Sequence, residues 1–316
     1  MDNLTHTLTG IVLARAGFQR VVPQAAWLMA IASNVPDLDI AAGLLGAGPY
    51  LEYHRGITHA LVFAPVWGAL AVAITRLGLR QPLPFVKAWL LSILAIAVHI
   101  LMDAFTGYGT KPFWPFINEW TQWPIMYVSD AALVTVLLLA IAAPALSRLV
   151  SSEIGAQRTT GQGWAIFALV FFLAWVGFRS TMRSRVEQQL TSHIYQGRVP
   201  KRVQVLATAF NPFRWRGLVE CEGFIAEHWL NPLAQFDPEQ GEIHLQPRNQ
   251  EAIQRAKQSK SVEAFLRFSQ WQIWRVIPVD EPEGGTRVEV RDPRFDADFS
   301  ALAVLDKNGR VVREEL

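Results

Sequence analysis

The chain has 316 residues, 51% hydrophobic and 18% charged, with a formal net charge of +2 and one cysteine. A charged fraction below the roughly 25% of an ordinary soluble domain argues against a wholly water-soluble protein. The small net charge, with no basic run interleaved with aromatics, excludes a nucleic-acid surface, so no direct nucleic-acid binding is expected. Cys221 alone can form neither an intramolecular disulfide nor a cysteine-built zinc framework.

The charge deficit is uneven. Long stretches between Gly56 and Phe178 carry no charged residue, and after Arg179 charge returns at ordinary density. The chain therefore reads as a membrane-embedded helical domain over 1–182 and a polar α+β domain over 183–316. The N-terminus lacks a basic n-region and places His6 where a signal peptide's apolar core would begin, so the segment is expected to be retained.

Two short apolar helices come first, over 4–18 and 24–35. Asn3 is placed to cap the first, Pro23 suits the first turn of the second, and Pro36 ends that helix at Val35. Four segments are long and apolar enough to cross a bilayer: 59–77, 86–105, 130–147 and 163–181. Pro65 and Pro144 fall inside two of them, where neighbouring helices satisfy the freed backbone groups. The last span continues into a charged helix to His193. Strands follow at Val203–Ala209, Gly217–Ile225, Glu242–Gln246, Trp271–Pro278 and Thr286–Arg291, with helices over 250–258 and Val262–Phe268. A final hairpin turns at Asn308-Gly309. The predicted fold is an α-helical membrane bundle of four long spans plus an N-terminal pair of short helices, followed by a small, mostly antiparallel α+β domain.

Lys and Arg near the span ends set orientation. If the short helices cross as a hairpin, Arg15, Arg20, Arg76, Arg80, Lys87, Arg148 and Arg158 share one side. Arg55, Lys111, Arg179, Arg183 and Arg185 share the other. The first side is then cytoplasmic, and the polar domain faces outward.

On that topology His6, Asp37, Asp39, His54, His59, His99 and Asp103 all reach one membrane face. His99 and Asp103 lie four apart on a helix and so stack on one side of it. His54 and His59 flank a glycine turn, and Asp37 and Asp39 follow a proline. Ionisable groups at membrane depth are costly and usually functional. Mixed imidazole and carboxylate donors suit zinc first, with manganese or iron as alternatives, as one or two ions. Two such ions clamp the oxygens of ester or amide hydrolysis, with Asp37, Asp39 or Asp103 as bridge or general base. The plainer readings are an interhelical hydrogen bond between His99 and Asp103, and helix-terminating roles for Asp37 and Asp39. Asp130 reads as a helix N-terminal charge or an additional ligand. Arg55 reads as an interface residue or an anion holder. Trp114, Trp120 and Trp123 read as an interfacial belt first and a substrate wall second, and His193, His228 and His244 as surface residues.

The run Asp2-Asn3-Leu4-Thr5-His6-Thr7-Leu8-Thr9-Gly10, with Asn34–Asp39, His54–His59 and His99–Asp103, resembles the YdjM-like family. Its members are described as inner-membrane-associated, metal-dependent hydrolases and as LexA-binding. The resemblance implies a multi-pass protein of the bacterial cytoplasmic membrane, with those seven His and Asp residues as its polar positions. It also implies a regulatory protein partner, and hence a non-enzymatic scaffold as the rival function. A looser similarity links the order of His, Asp, His and His-x-x-x-Asp to the zinc-dependent phospholipase C and single-strand nuclease group. That similarity implies a phosphoester or lipid-linked substrate beside the surrounding membrane lipids. The second downstream His-x-x-x-Asp/Glu pair of that group is missing here, which favours one or two ions over three. A metal-ion transporter or sensor is the third reading; its ligands would be expected near the bilayer midplane.

Overall fold

Asp2, rather than the expected Asn3, caps the first helix. Its carboxylate accepts from the Thr5 backbone N–H at 2.9 Å and from Thr5 Oγ1 at 2.6 Å, so α1 covers Asn3–Ala16. Helix α2 (Ala25–Ala32) packs on α1. Gly10 permits this contact: a Cβ there would lie 2.6 Å from the Met29 carbonyl oxygen and 2.7 Å from Ser33 Oγ. Helix α2 stops three residues before Val35, and the chain resumes as a 3₁₀ stretch, Pro36–Leu45, bent by 42° from it. Pro36 disfavours helix at the residue before it and so imposes the break.

The computed structural model describes residues 1–154, 161–295 and 299–316, with side chains of 148–154 left aside. Arg158 and the Arg148 side chain of the orientation argument lie outside the described residues. Two units form. One comprises Met1–Leu38, Arg55–Ser184 and Leu206–Pro212, and the other Asp39–His54, Arg185–Val205 and Phe213–Leu316.

The short helix α3 (Ala47–Tyr53) belongs to the second unit. In the first unit follow α4 (Ala64–Leu79), α5 (Phe85–Ala104) and α6 (Ala131–Ile154), and α7 (Gln162–Thr191) runs on past the boundary between units. Leu61–Leu79, Phe85–Ala104 and Gln162–Thr191 are long and apolar enough to cross a membrane. The bent pair Ala25–Ala32 and Pro36–Leu45 raises the number to as many as four among the described residues. The expected span at 130–147 lies in α6, which is apolar over Ala131–Ser147. Helices α1, α2, α4 and α5 bury Ala14, Leu28, Met29, Val72, Ala95 and Ile96 together. Leu8, Val12, Met102, Phe105, Leu133 and Ala168 form a second core around α1, α5, α6 and α7.

Arg179 is fully buried in α7 and donates to two carbonyls, from Nε to Ile125 at 2.8 Å and from Nη1 to Pro212 at 3.0 Å. Asp130 is the cap reading fulfilled: its Oδ1 accepts from the Leu133 N–H and from Trp175 Nε1, both at 3.1 Å.

The second unit carries two antiparallel sheets. The first orders β1 (Arg202–Ala207), β2 (Trp215–Cys221), β3 (Phe224–Leu230) and β4 (Glu242–Leu245). Helices α8 (Gln250–Ala256) and α9 (Lys260–Phe268) follow, each opened by a side-chain cap, Asn249 and Ser259. The second sheet orders β5 (Ile273–Val279), β6 (Gly285–Arg291), β7 (Ser300–Leu305) and β8 (Val311–Glu315). The single strand expected over Gly217–Ile225 is a hairpin. Cys221 pairs with Phe224 across Glu222-Gly223, and Gly223 takes φ 86°. His228 and His244, expected at the surface, are buried; His244 pairs with Ile225, which puts the two imidazoles on opposite faces of the sheet.

Candidate metal centre

Within the first unit three segments converge. Asp37 stands just beyond the α2 break, His59 ends a 3₁₀ turn (Ile57–His59) before the Leu61–Leu79 span, and His99 and Asp103 lie one turn apart near the end of α5. His59 and Asp103 are fully buried, and His99 and Asp37 nearly so.

The orientation of His99 is dictated by α2. Its Nδ1 lies 2.7 Å from the Ser33 carbonyl oxygen. A carbonyl only accepts, so Nδ1 carries the proton and, in the neutral ring, Nε2 holds a lone pair. That lone pair faces His59 Nε2 at 3.1 Å, Asp103 Oδ2 at 3.5 Å and Asp37 Oδ1 at 3.7 Å. His59 Nε2 in turn lies 3.2 Å from Asp103 Oδ2 and 3.4 Å from Asp37 Oδ1. His59 is steadied from behind by Thr58 Oγ1, 2.9 Å from its Nδ1.

Five of the six separations among these four atoms are thus 3.1–3.7 Å, and the sixth is within 4.8 Å. Bonds of 2.0–2.1 Å to a tetrahedral ion place ligand atoms about 3.3 Å apart. Neither Asp37 oxygen nor Asp103 Oδ2 accepts a hydrogen bond, although all are buried. Buried acceptors without donors are costly, and a divalent cation among them removes that cost. The four residues therefore fit one metal ion.

His6 turns its Nε2 to the far oxygen of Asp103, 3.1 Å from Oδ1, and its ring lies over His99 with centroids 3.8 Å apart. Arg55 Nη2 reaches the same oxygen at 3.1 Å and also donates to the Met1 carbonyl at 3.2 Å, while Nη1 donates to Thr106 Oγ1 at 3.1 Å. Its guanidinium also covers the Tyr108 ring at 4.8 Å. Arg55 adopts φ 59°, the left-handed region, before Gly56. Asp39 and His54 belong to the second unit and pair there, His54 Nδ1 donating to Asp39 Oδ1 at 2.8 Å with Tyr50 stacked on the imidazole. Sequence reasoning did not foresee Ser33 and Thr58, the groups that aim the two imidazoles; Ser33 adjoins one motif and Thr58 lies within another, but as a backbone carbonyl and a hydroxyl they carry no spacing signal.

Comparison with known proteins adds the lineage. A family profile described as "YdjM inner membrane protein" matches residues 1–186. The chain is 30% identical over 151 residues, 43% of its length, to the uncharacterized protein YfhP of Bacillus subtilis (strain 168), covering 46% of that protein. It is 29% identical over 136 residues, 41% of its length, to the inner membrane protein YbcI of Escherichia coli (strain K12), covering 78% of it. The match thus spans less than half of the first relative. No solved structure matches.

Proposed function

The chain belongs to the YdjM inner membrane protein family, and from that premise we propose that it is a membrane-bound, metal-dependent hydrolase. One observation carries the reading: the donor atoms of Asp37, His59, His99 and Asp103 face one another at metal-ligand spacing in a buried site. Two imidazoles and two carboxylates suit zinc, with manganese or iron as alternatives. When bound, such an ion supplies Lewis acidity and a water made nucleophilic near neutral pH.

The remaining roles follow from the chain's own geometry. Ser33 holds His99 in the tautomer that offers Nε2. His6 and Arg55 occupy Asp103 Oδ1, which leaves Oδ2 toward the centre. Asp37 Oδ2 is buried and accepts no hydrogen bond among the described residues, so it is the atom placed to take a proton. The Lys and Arg distribution supports a cluster and polar domain on the extracytoplasmic side. A phosphoester, free or lipid-linked, is the substrate class.

Metal content of detergent-purified protein, wild type beside His99→Ala and Asp103→Ala, tests the site. Stoichiometric transition metal in wild type, lost in both folded variants and accompanied by metal-dependent cleavage in an ester panel, is the expected result. Wild type without metal after reconstitution with Zn²⁺ and Mn²⁺ overturns it.

A further inference from the structure

Between α5 and α6 the chain makes a turn whose apolar side chains point away from the protein. Phe113 is 51% exposed, Phe116 84% and Ile117 51%. The Phe116 and Ile117 N–H groups close the turn on the Phe113 carbonyl at 3.0 and 3.1 Å.

This turn is anchored to the candidate metal centre. The Lys111 N–H donates to the Arg55 carbonyl at 3.2 Å, and the Leu61 N–H donates to the Pro112 carbonyl at 2.9 Å. These two bonds bracket His59 on both sides. Phe63 also stacks on Trp114, with ring centroids 6.0 Å apart. Leu61 and Val62, which open the Leu61–Leu79 span, are themselves 40% and 48% exposed, so the start of the span joined to the turn also presents apolar side chains outward.

Two constraints fix where such a turn can stand. Clustered aromatic and aliphatic side chains are disfavoured in water. Irregular backbone is disfavoured in the hydrocarbon core, where its N–H and C=O groups lack partners. The interfacial layer, where aromatic side chains collect, meets both conditions. Polar groups mark the base of the turn: Lys111 Nζ donates to Asn118 Oδ1 at 2.9 Å and lies 5.0 Å from the Trp120 ring centre.

We propose that the Pro112–Ile117 turn is a wedge seated in the interfacial layer of the bilayer. It holds the His59 segment at headgroup depth and presents the site to membrane amphiphiles whose hydrolysable linkage lies at that level. The substrate half of this inference rests on the hydrolase reading; the depth half stands without it.

Depth is measured on the full chain in nanodiscs of phosphatidylethanolamine and phosphatidylglycerol. A bimane label is placed on Phe116→Cys, or on Leu173→Cys in α7, each in a Cys221→Ala background. Nitroxide lipids labelled at the headgroup, high on the acyl chain or near its end act as quenchers. The label at 116 is expected to be quenched most by the headgroup and upper-chain nitroxides, and the label at 173 by a deeper one. A label at 116 that no lipid quenches, or that the deepest lipid quenches most, overturns the wedge while 173 reports an intact insertion.

The substrate half is read on Zn²⁺-loaded wild type, comparing phosphatidylglycerol in the nanodisc with a water-soluble aryl phosphodiester. Cleavage of the lipid should be faster by about tenfold or more, because confinement in the bilayer raises effective concentration. Equal rates, or faster cleavage of the soluble ester, overturn the substrate assignment. Cleavage of neither overturns the hydrolase reading and the assignment with it, and leaves the quenching result decisive for the wedge.

Discussion

His6 and Asp103 meet through Nε2 and Oδ1 at 3.1 Å, on the opposite edge of the carboxylate from Oδ2, which faces His59 and His99. A carboxylate accepts, so His6 Nε2 carries a proton in this contact. We infer that His6 orients a ligand rather than serving as one. His6→Gln keeps an N–H at nearly the same place and is expected to retain metal. His6→Ala, which removes the donor, should weaken metal affinity by roughly 10–100-fold. His99→Gln should abolish binding, because glutamine replaces a lone pair with an amide hydrogen. Competition titrations with Zn²⁺ and a chelator rank the variants. A His6→Gln protein as defective as His99→Gln would make His6 a ligand.

Gly10 governs the same site from a distance. Its missing Cβ lets α1 approach the Met29 carbonyl and Ser33, and the Ser33 carbonyl orients His99. Asn34 joins the pair further, donating to Thr7 Oγ1 at 2.8 Å and to the Ala30 carbonyl at 2.7 Å. Gly10→Ala should lower stability by about 1–3 kcal/mol, the usual cost of overpacking, and should weaken metal binding along with it. Thermal melting in detergent, followed by metal titration well below the melting point, separates the two effects. Normal melting and normal affinity would show that α1 and α2 part without cost.

The helical half of the site was legible because local rules decide it. His99 and Asp103 share a face by their spacing of four, the apolar run of α5 marks a span, and Pro36 announces the break before Asp37. The division of Asp103's oxygens and the pairing of Asp39 with His54 were not legible. Both depend on turns around Arg55 and Gly56, whose direction follows from tertiary contacts rather than from periodicity. In the polar domain most strands were recognised by composition, but Glu222-Gly223 is a weaker hairpin signal than Asn-Gly or Asp-Gly, so β2 and β3 read as one strand. The short helix α3 escaped because Gly46, Gly48 and Pro49 look like a loop. His228 faces inward by the alternation of β3, a phase that could be read only once the hairpin was placed.

Arg179 tests how the membrane part is tied together. It is the donor for the Ile125 and Pro212 carbonyls, at 2.8 and 3.0 Å, from a fully buried position in α7. Arg179→Met preserves much of the packing volume and removes both donors. Each carbonyl left without a partner costs about 1–3 kcal/mol, so melting in detergent should fall clearly. Arg179→Lys, with one compact donor head, should recover part of the loss. A methionine variant as stable as wild type would mean that both carbonyls find other donors.

Glu227 gives the polar domain a defined acid response. Burial works to raise its carboxyl, but the hydrogen bond and charge of Arg216, with His244 nearby, outweigh burial and hold it at about 2 against an ordinary 4.5. Arg216 Nε donates to Oε1 at 2.6 Å, and His244 Nε2 lies 3.6 Å from Oε2. A carboxyl whose value is lower in the folded than in the unfolded chain binds fewer protons when folded. Its stabilising contribution is therefore present above pH 4.5 and drains away as pH falls toward about 2. Glu227→Gln lacks this titration. The melting temperature of wild type should exceed that of the glutamine variant above pH 4.5, with the gap closing through that window. A gap that stays constant with pH would mean that Glu227 stabilises the sheet by packing and neutral hydrogen bonding, without the ion pair.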